Sequence, residues 1–138
     1  MAVPAMNEEA RRASEECTRA SDEERMSFPE VVGMLMEAGV ERYYADLVRH
    51  EKTYYMADGA SLVTRAKPLA APAAVPFSPE GVEAAVRAIQ AGQIKYGEFC
   101  ARIAAAGCVA YLVSLTGARA VYYGRTGEAH LELFPAAT

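Results

Sequence analysis

The feature that most constrains this chain is an internal echo. The stretch KTYYMADGA, Lys52 to Ala60, and the stretch AVYYGRTGE, Ala120 to Glu128, each carry paired tyrosines and then a glycine four residues after the second. A shift of 68 places residues 28–59 on 96–127 without a gap. Under that shift positions 30, 38, 39, 43, 47, 54, 55 and 59 keep their residue type. Composition alone would give about two or three such identities. Conservative pairs add to them: Leu35 with Ile103, Val40 with Cys108, and Val63 with Leu131. Such a chain calls for a fold that can be assembled from one unit used twice.

Local signals describe the unit. Residues 7–25 read as one or two polar helices, with a break expected at the capping-box pair Ser21 and Glu24. Ser27, Pro29 and Glu30 open a helix whose apolar positions Val31, Val32, Leu35 and Met36 follow helical spacing. Gly39 ends it. The period then changes to two, with Tyr43, Ala45 and Leu47 on one side and Tyr44, Asp46 and Val48 on the other. RHEK reads as a hairpin turn, TYYMA as a second strand, Asp58-Gly59 as a turn and SLVTRA as a third strand.

The alanine- and proline-rich run from Ala66 to Phe77 supports neither a strand ladder nor a helix. Ser78, Pro79 and Glu80 then start a helix ended by Gly92, and a further helix runs from about Tyr96 to Ala106. CVAYLVSL, AVYYG and AHLELF read as strands separated by turns at Thr116-Gly117 and Arg125 to Gly127. The predicted fold is α+β: one domain over 1–138, with unit one about 7–65, a connector 66–77 and unit two about 78–135. Each unit reads helix, helix and three strands. Together they form an antiparallel sheet with helices covering one face, in a pseudo-twofold arrangement. The predicted core is Val31, Leu35, Tyr43, Leu47 and Val63, with Phe99, Ile103, Tyr111, Leu115 and Leu131.

Composition narrows the function classes. With 138 residues, 52% of them hydrophobic, the chain can bury the core of one ordinary domain. It carries 18 acidic and 14 basic residues, a net charge of −4, and no basic block interleaved with aromatics. Nucleic acid is therefore not expected as a partner. The apolar runs are too short to span a membrane, and the charged start MAVPAMNEEARR is not a secretory signal. Cys17, Cys100 and Cys108 have no CxxC spacing and read as reduced thiols of a cytoplasmic protein. Cys100 and Cys108 read as buried, and Cys17 as potentially exposed on its polar helix.

Function is sought where the two copies differ. The first has Asp46, Arg49, His50, Glu51 and Lys52 where the second has Ser114, Gly117, Ala118, Arg119 and Ala120. A charged, solvated turn is the plain reading of that cluster. As a site, it offers His50 as a base oriented by Asp46 or Glu51, and Arg49 as an anion contact. His130 and Glu132 share a strand face, expected to lie away from Leu131 and Leu133 and able to meet Asp46 and His50 if the strands lie close. Tyr44 and Tyr54, with Met56, are expected on an outer sheet face more apolar than a solvated sheet needs. GRTG is a turn between strands, not a phosphate loop.

No catalytic residue, metal site or cofactor is expected from these patterns. The leading expectation is a non-enzymatic interaction module that forms a homodimer or meets a protein partner through the outer sheet face. The alternative is a binding protein for a small anionic ligand, or a minor enzyme, with its site around Asp46–Lys52.

The run SFPEVVGMLMEAGVERYYADLVRHEKTYYMADG, with IQAGQIKYGEF and AVYYGRTG, resembles the YbcV-like family of small bacterial proteins. This is a domain of unknown function sometimes labelled phage envelope protein. The resemblance spans about Met26 to Pro135. It implies a compact α+β domain of bacterial or prophage origin and assigns no reaction, cofactor or site residue.

Overall fold

The computed structural model describes residues 2–135. Four helices and six strands follow one another in the order α1 (Glu8–Asp22), α2 (Phe28–Glu37), β1 (Val40–Asp46), β2 (Glu51–Met56), β3 (Ser61–Arg65), α3 (Pro79–Gln90), α4 (Tyr96–Ala105), β4 (Cys108–Ser114), β5 (Arg119–Gly124) and β6 (Ala129–Leu133). The fold is α+β, as the sequence predicts. From α2 onward the two halves keep step: α4, β4, β5 and β6 begin and end 68 residues after α2, β1, β2 and β3 (28 + 68 = 96, 133 − 68 = 65).

Local chemistry accounts for the helix ends. Asn7 caps α1 by accepting the Ala10 N–H at 2.9 Å. The predicted capping box of α2 is present: the Ser27 hydroxyl accepts from the Glu30 N–H, and the Glu30 carboxylate accepts from the Ser27 N–H at 2.8 Å. These bonds hold the Glu30 carboxyl below its ordinary range. Ser78 caps α3 by accepting the Gly81 N–H at 3.0 Å. The break expected near Ser21 falls one residue later: residues 8–22 form one helix ending at Asp22, and Glu24, with φ of 61°, turns the chain. The helix's inward stripe is small (Ala10, Ala13, Ser14, Cys17, Thr18 and Ala20) and packs closely. Cys17 is fully buried in that stripe, not exposed.

All strand pairs are antiparallel, in the order β3-β2-β1-β4-β5-β6. The two meanders meet at β1 and β4, where Tyr44 lies opposite Leu112, the residue 68 further on. A register shift follows the first residue of each of these strands, between Val40 and Arg42 and between Cys108 and Ala110. Helices cover one face, where Tyr43, Tyr54, Tyr111 and Tyr122 are buried with Leu35 and Ile103. The ring pairs match across the halves: Tyr43 to Tyr54 at 5.2 Å and 37°, Tyr111 to Tyr122 at 5.4 Å and 35°.

Two members of the predicted core lie elsewhere. Val63 is 55% and Leu131 48% exposed, on the helix-free face. Their neighbours Thr64 and Glu132 point inward instead. A strand's apolar residues mark its buried face only when the other face is wet and polar. Here both faces carry apolar residues, so hydrophobicity alone chose the wrong one.

Candidate functional site

The turn after β1 is built by Asp46. Its carboxylate accepts the Val48 and Arg49 N–H groups, both at 2.9 Å. His50 closes the turn in the left-handed region, with φ of 57°. Arg49 is exposed and pairs with Glu51 at 2.9 Å, which raises the guanidinium pKa. Asp46 and Arg49 are thus engaged with the turn itself. The expected Arg49 anion contact points into solvent, where an ion pair contributes little.

Lys52 is placed differently from the sequence expectation. It is not part of a solvated turn but 3% exposed, on the helix-covered face beside Ala45 and Thr64. Its Nζ lies 4.6 Å from the ring centre of Tyr96 and 5.8 Å from that of Tyr43. Among the described residues it makes no hydrogen bond, and no carboxylate lies within 4.0 Å. No side-chain nitrogen or oxygen there is both sealed off and unpartnered, so Nζ keeps an opening. Lys52 also lines a cavity of about 30 Å³ together with Asp22, Asp46, His50, Tyr96 and Cys100. Desolvation lowers the Lys52 pKa, because burial penalises the ammonium.

The cavity spans the two halves. Lys52 and His50 come from the first, Tyr96 and Cys100 from α4 in the second, and Lys67 and Leu69 from the connector. The Lys67 N–H donates to the Asp22 carboxylate at 2.9 Å, which ties the connector to the end of α1. Burial pushes the Cys100 thiol pKa up, so it stays a neutral neighbour. Beside the cavity the Tyr96 and Tyr111 hydroxyls bond each other at 2.7 Å. Further in, Tyr54, Thr18 and Thr64 share hydroxyl hydrogen bonds of 2.8 and 2.7 Å.

Tyr54 belongs to that inner network and not to an outer patch. It is 1% exposed, and Met56 faces the same side. The hairpin register sets this. Tyr43 lies opposite Tyr54 and Tyr44 opposite Thr53, so the outward tyrosines are Tyr44, Tyr55 and Tyr123. Any turn of even length puts odd residues of one strand beside even residues of the next.

His130 and Glu132 also sit on the opposite face from that expected. They face α3, where Glu132 is buried, while Leu131 and Leu133 face out. The Glu132 carboxylate accepts from His130 Nε2 at 2.6 Å and Arg87 Nη1 at 3.0 Å. His50 and His130 line separate depressions and do not converge. Among the described residues no group of three or more His, Cys, Asp and Glu side chains could hold a metal ion.

The helix-free face carries the second candidate. One row crosses all six strands: Val63, Thr53, Tyr44, Leu112, Val121 and Leu131. One flanking row holds Arg42 and Arg119, and the other holds Asp46 and Glu51, with Arg65 at its end. An apolar stripe thus runs between a basic and a mainly acidic border. Arg42 is partly engaged, lying 4.4 Å over the Tyr55 ring and pairing with Glu41.

A family model described as Protein of unknown function (DUF1398) matches residues 65–132. The match runs through the connector and the second half, leaving Asp46 to Lys52 outside it. No curated protein matches the chain. Among the described residues no helix is long and apolar enough to cross a membrane.

Proposed function

We propose that this protein is a non-enzymatic interaction module that pairs with a second copy of itself through the helix-free sheet face. The observation that carries the reading is the stripe across the six strands, whose ends Val63 and Leu131 stand open to solvent. The borders favour a second copy as the occupant. A twofold axis along the stripe sets the row of Arg42 and Arg119 against the partner's acidic row. An axis across the stripe sets like charge on like charge. Six strands about 4.8 Å apart and five residues deep present about 400 Å² per partner, half a standard interface, so the pairing is weak. The common offset of 68 supports reading the chain as one domain of two repeat units.

Sedimentation velocity tests this over a concentration series. A dimer is expected at high micromolar concentration, weakened at least tenfold by Tyr44→Ser or Arg119→Glu and weakened again by salt. A strict monomer in that range, with neither substitution changing any association, contradicts it.

A second reading, a small-ligand site beside His50, is favoured by the cavity that includes His50 and Asp46. Its centre is Lys52 rather than Arg49, because Lys52 is buried and lines the cavity while Arg49 points outward to Glu51. Backbone amide shifts of Tyr96 and Cys100 under millimolar small amides, aldehydes or carboxylates test it. No shift with any of them ends that reading.

A further inference from the structure

We infer that Lys52 is a reactive amine, placed to capture the carbonyl group of a small neutral aldehyde as an imine in the cavity between β2 and α4. The inference rests on the small-ligand reading above and adds the ligand class and the bond formed.

Four observations point to it. First, Lys52 is 3% exposed, yet its Nζ makes no hydrogen bond and no ion pair among the described residues. A buried ammonium without a counter-ion is among the costlier groups a fold can hold. Second, Lys52 lines a cavity of about 30 Å³, which admits the carbonyl end of a small molecule and little more. Third, the Asp22 carboxylate, which accepts the Lys67 N–H, lines the cavity and acts on Lys52, and it opposes an anionic guest such as a carboxylate or phosphate. A neutral carbonyl meets no such opposition. Fourth, position 120, which corresponds to 52 under the offset of 68, is a buried alanine. The fold therefore does not require an amine at this place in the sheet. Burial also favours the uncharged amine, the nucleophilic form.

The chemistry balances without an added oxidant or reductant. The Nζ lone pair attacks the carbonyl carbon and the carbonyl π bond opens to give a carbinolamine. The former carbonyl oxygen then leaves as water, taking both amine hydrogens, as the C=N bond forms.

The chain supplies its own controls, because Lys67 and Lys95 are its other lysines and both are exposed. The unmodified protein is treated at pH 7 with propionaldehyde and cyanoborohydride, which traps each imine as a propyl amine. Peptide mass spectrometry then reads each lysine. A lowered pKa leaves more of an amine in its neutral, nucleophilic form at this pH. Labelling of Lys52 severalfold faster than of Lys67 and Lys95 is expected. Labelling of Lys52 no faster than theirs overturns the inference.

Propionamide, one nitrogen larger and unable to form an imine, separates the two levels. If it shifts the Tyr96 and Cys100 amides while Lys52 shows no preference, the ligand site stands and the imine falls. With neither shift nor preference, both fall. Preferential labelling slowed by propionamide supports both.

Discussion

Two sets of positions, 68 residues apart, carry different contents. One is Lys52, Tyr96 and Ala66, and the other is Ala120, Phe28 and Phe134. Phe28 and Phe134 meet edge to face at 5.3 Å, so those positions carry an aromatic pair. The other set has alanine in place of Phe134, and Lys52 and Tyr96 there line a cavity. Equivalent positions therefore hold an aromatic pair in one case and an amine beside a cavity in the other. Their difference lies in side-chain chemistry and not in topology.

The comparison is sharpened first where the halves should behave alike. Leu35 and Ile103 are 68 residues apart and both fully buried. Truncating either to alanine should cost about 3 kcal/mol by urea unfolding, the two agreeing within about 1 kcal/mol. One loss above 2 and the other near zero would break the equivalence.

Gly39 and Gly107 test where the halves should diverge. Both end helices with positive φ, 82° and 88°. A Cβ at Gly39 meets only the Met56 Cε at 3.7 Å, whereas at Gly107 it overlaps the Pro76 carbonyl of the connector. Gly39→Ala should cost about 1 kcal/mol from backbone strain alone. Gly107→Ala should cost about 3 kcal/mol, because the connector's backbone must move. Equal losses would mean the connector yields freely. A smaller effect tests the hydroxyl pair beside the cavity: Tyr96→Phe leaves the Tyr111 hydroxyl alone and should cost about 1 kcal/mol.

Much of this comparison could be read in the sequence. The offset of 68, the Ser27–Glu30 capping box and the six strands follow from short-range rules that tertiary packing did not overrule. The facing of individual side chains was less legible. Tyr54, Lys52, Val63 and Leu131 were each assigned by polarity, and polarity was uninformative because the helix-free face is apolar and the covered face holds Lys52, Thr64 and Glu132. The signal that could have found Lys52 was parity. With Tyr43 inward and a turn of even length, Tyr54 and then Lys52 must face inward too. Its closeness to Tyr96 was beyond reach, since it depends on a residue at the start of α4 meeting β2 of the other half.

At the centre of this account is Lys52 as a buried, unpaired amine held at a cost to stability. Two aromatic faces return up to about 2 kcal/mol, less than the several kcal/mol that burying an ammonium removes. The direct measurement is urea unfolding of Lys52→Met against the parent from pH 7 to 9.5. At pH 7 the variant should be more stable by about 1–2 kcal/mol. The folded-state pKa of Lys52 is lowered, so between that value and the unfolded value near 10.5 the unfolded chain binds more protons. The parent should therefore gain on the variant as pH rises, and the gap should narrow. A variant less stable than the parent by more than about 1 kcal/mol, with no change across that range, would contradict the account.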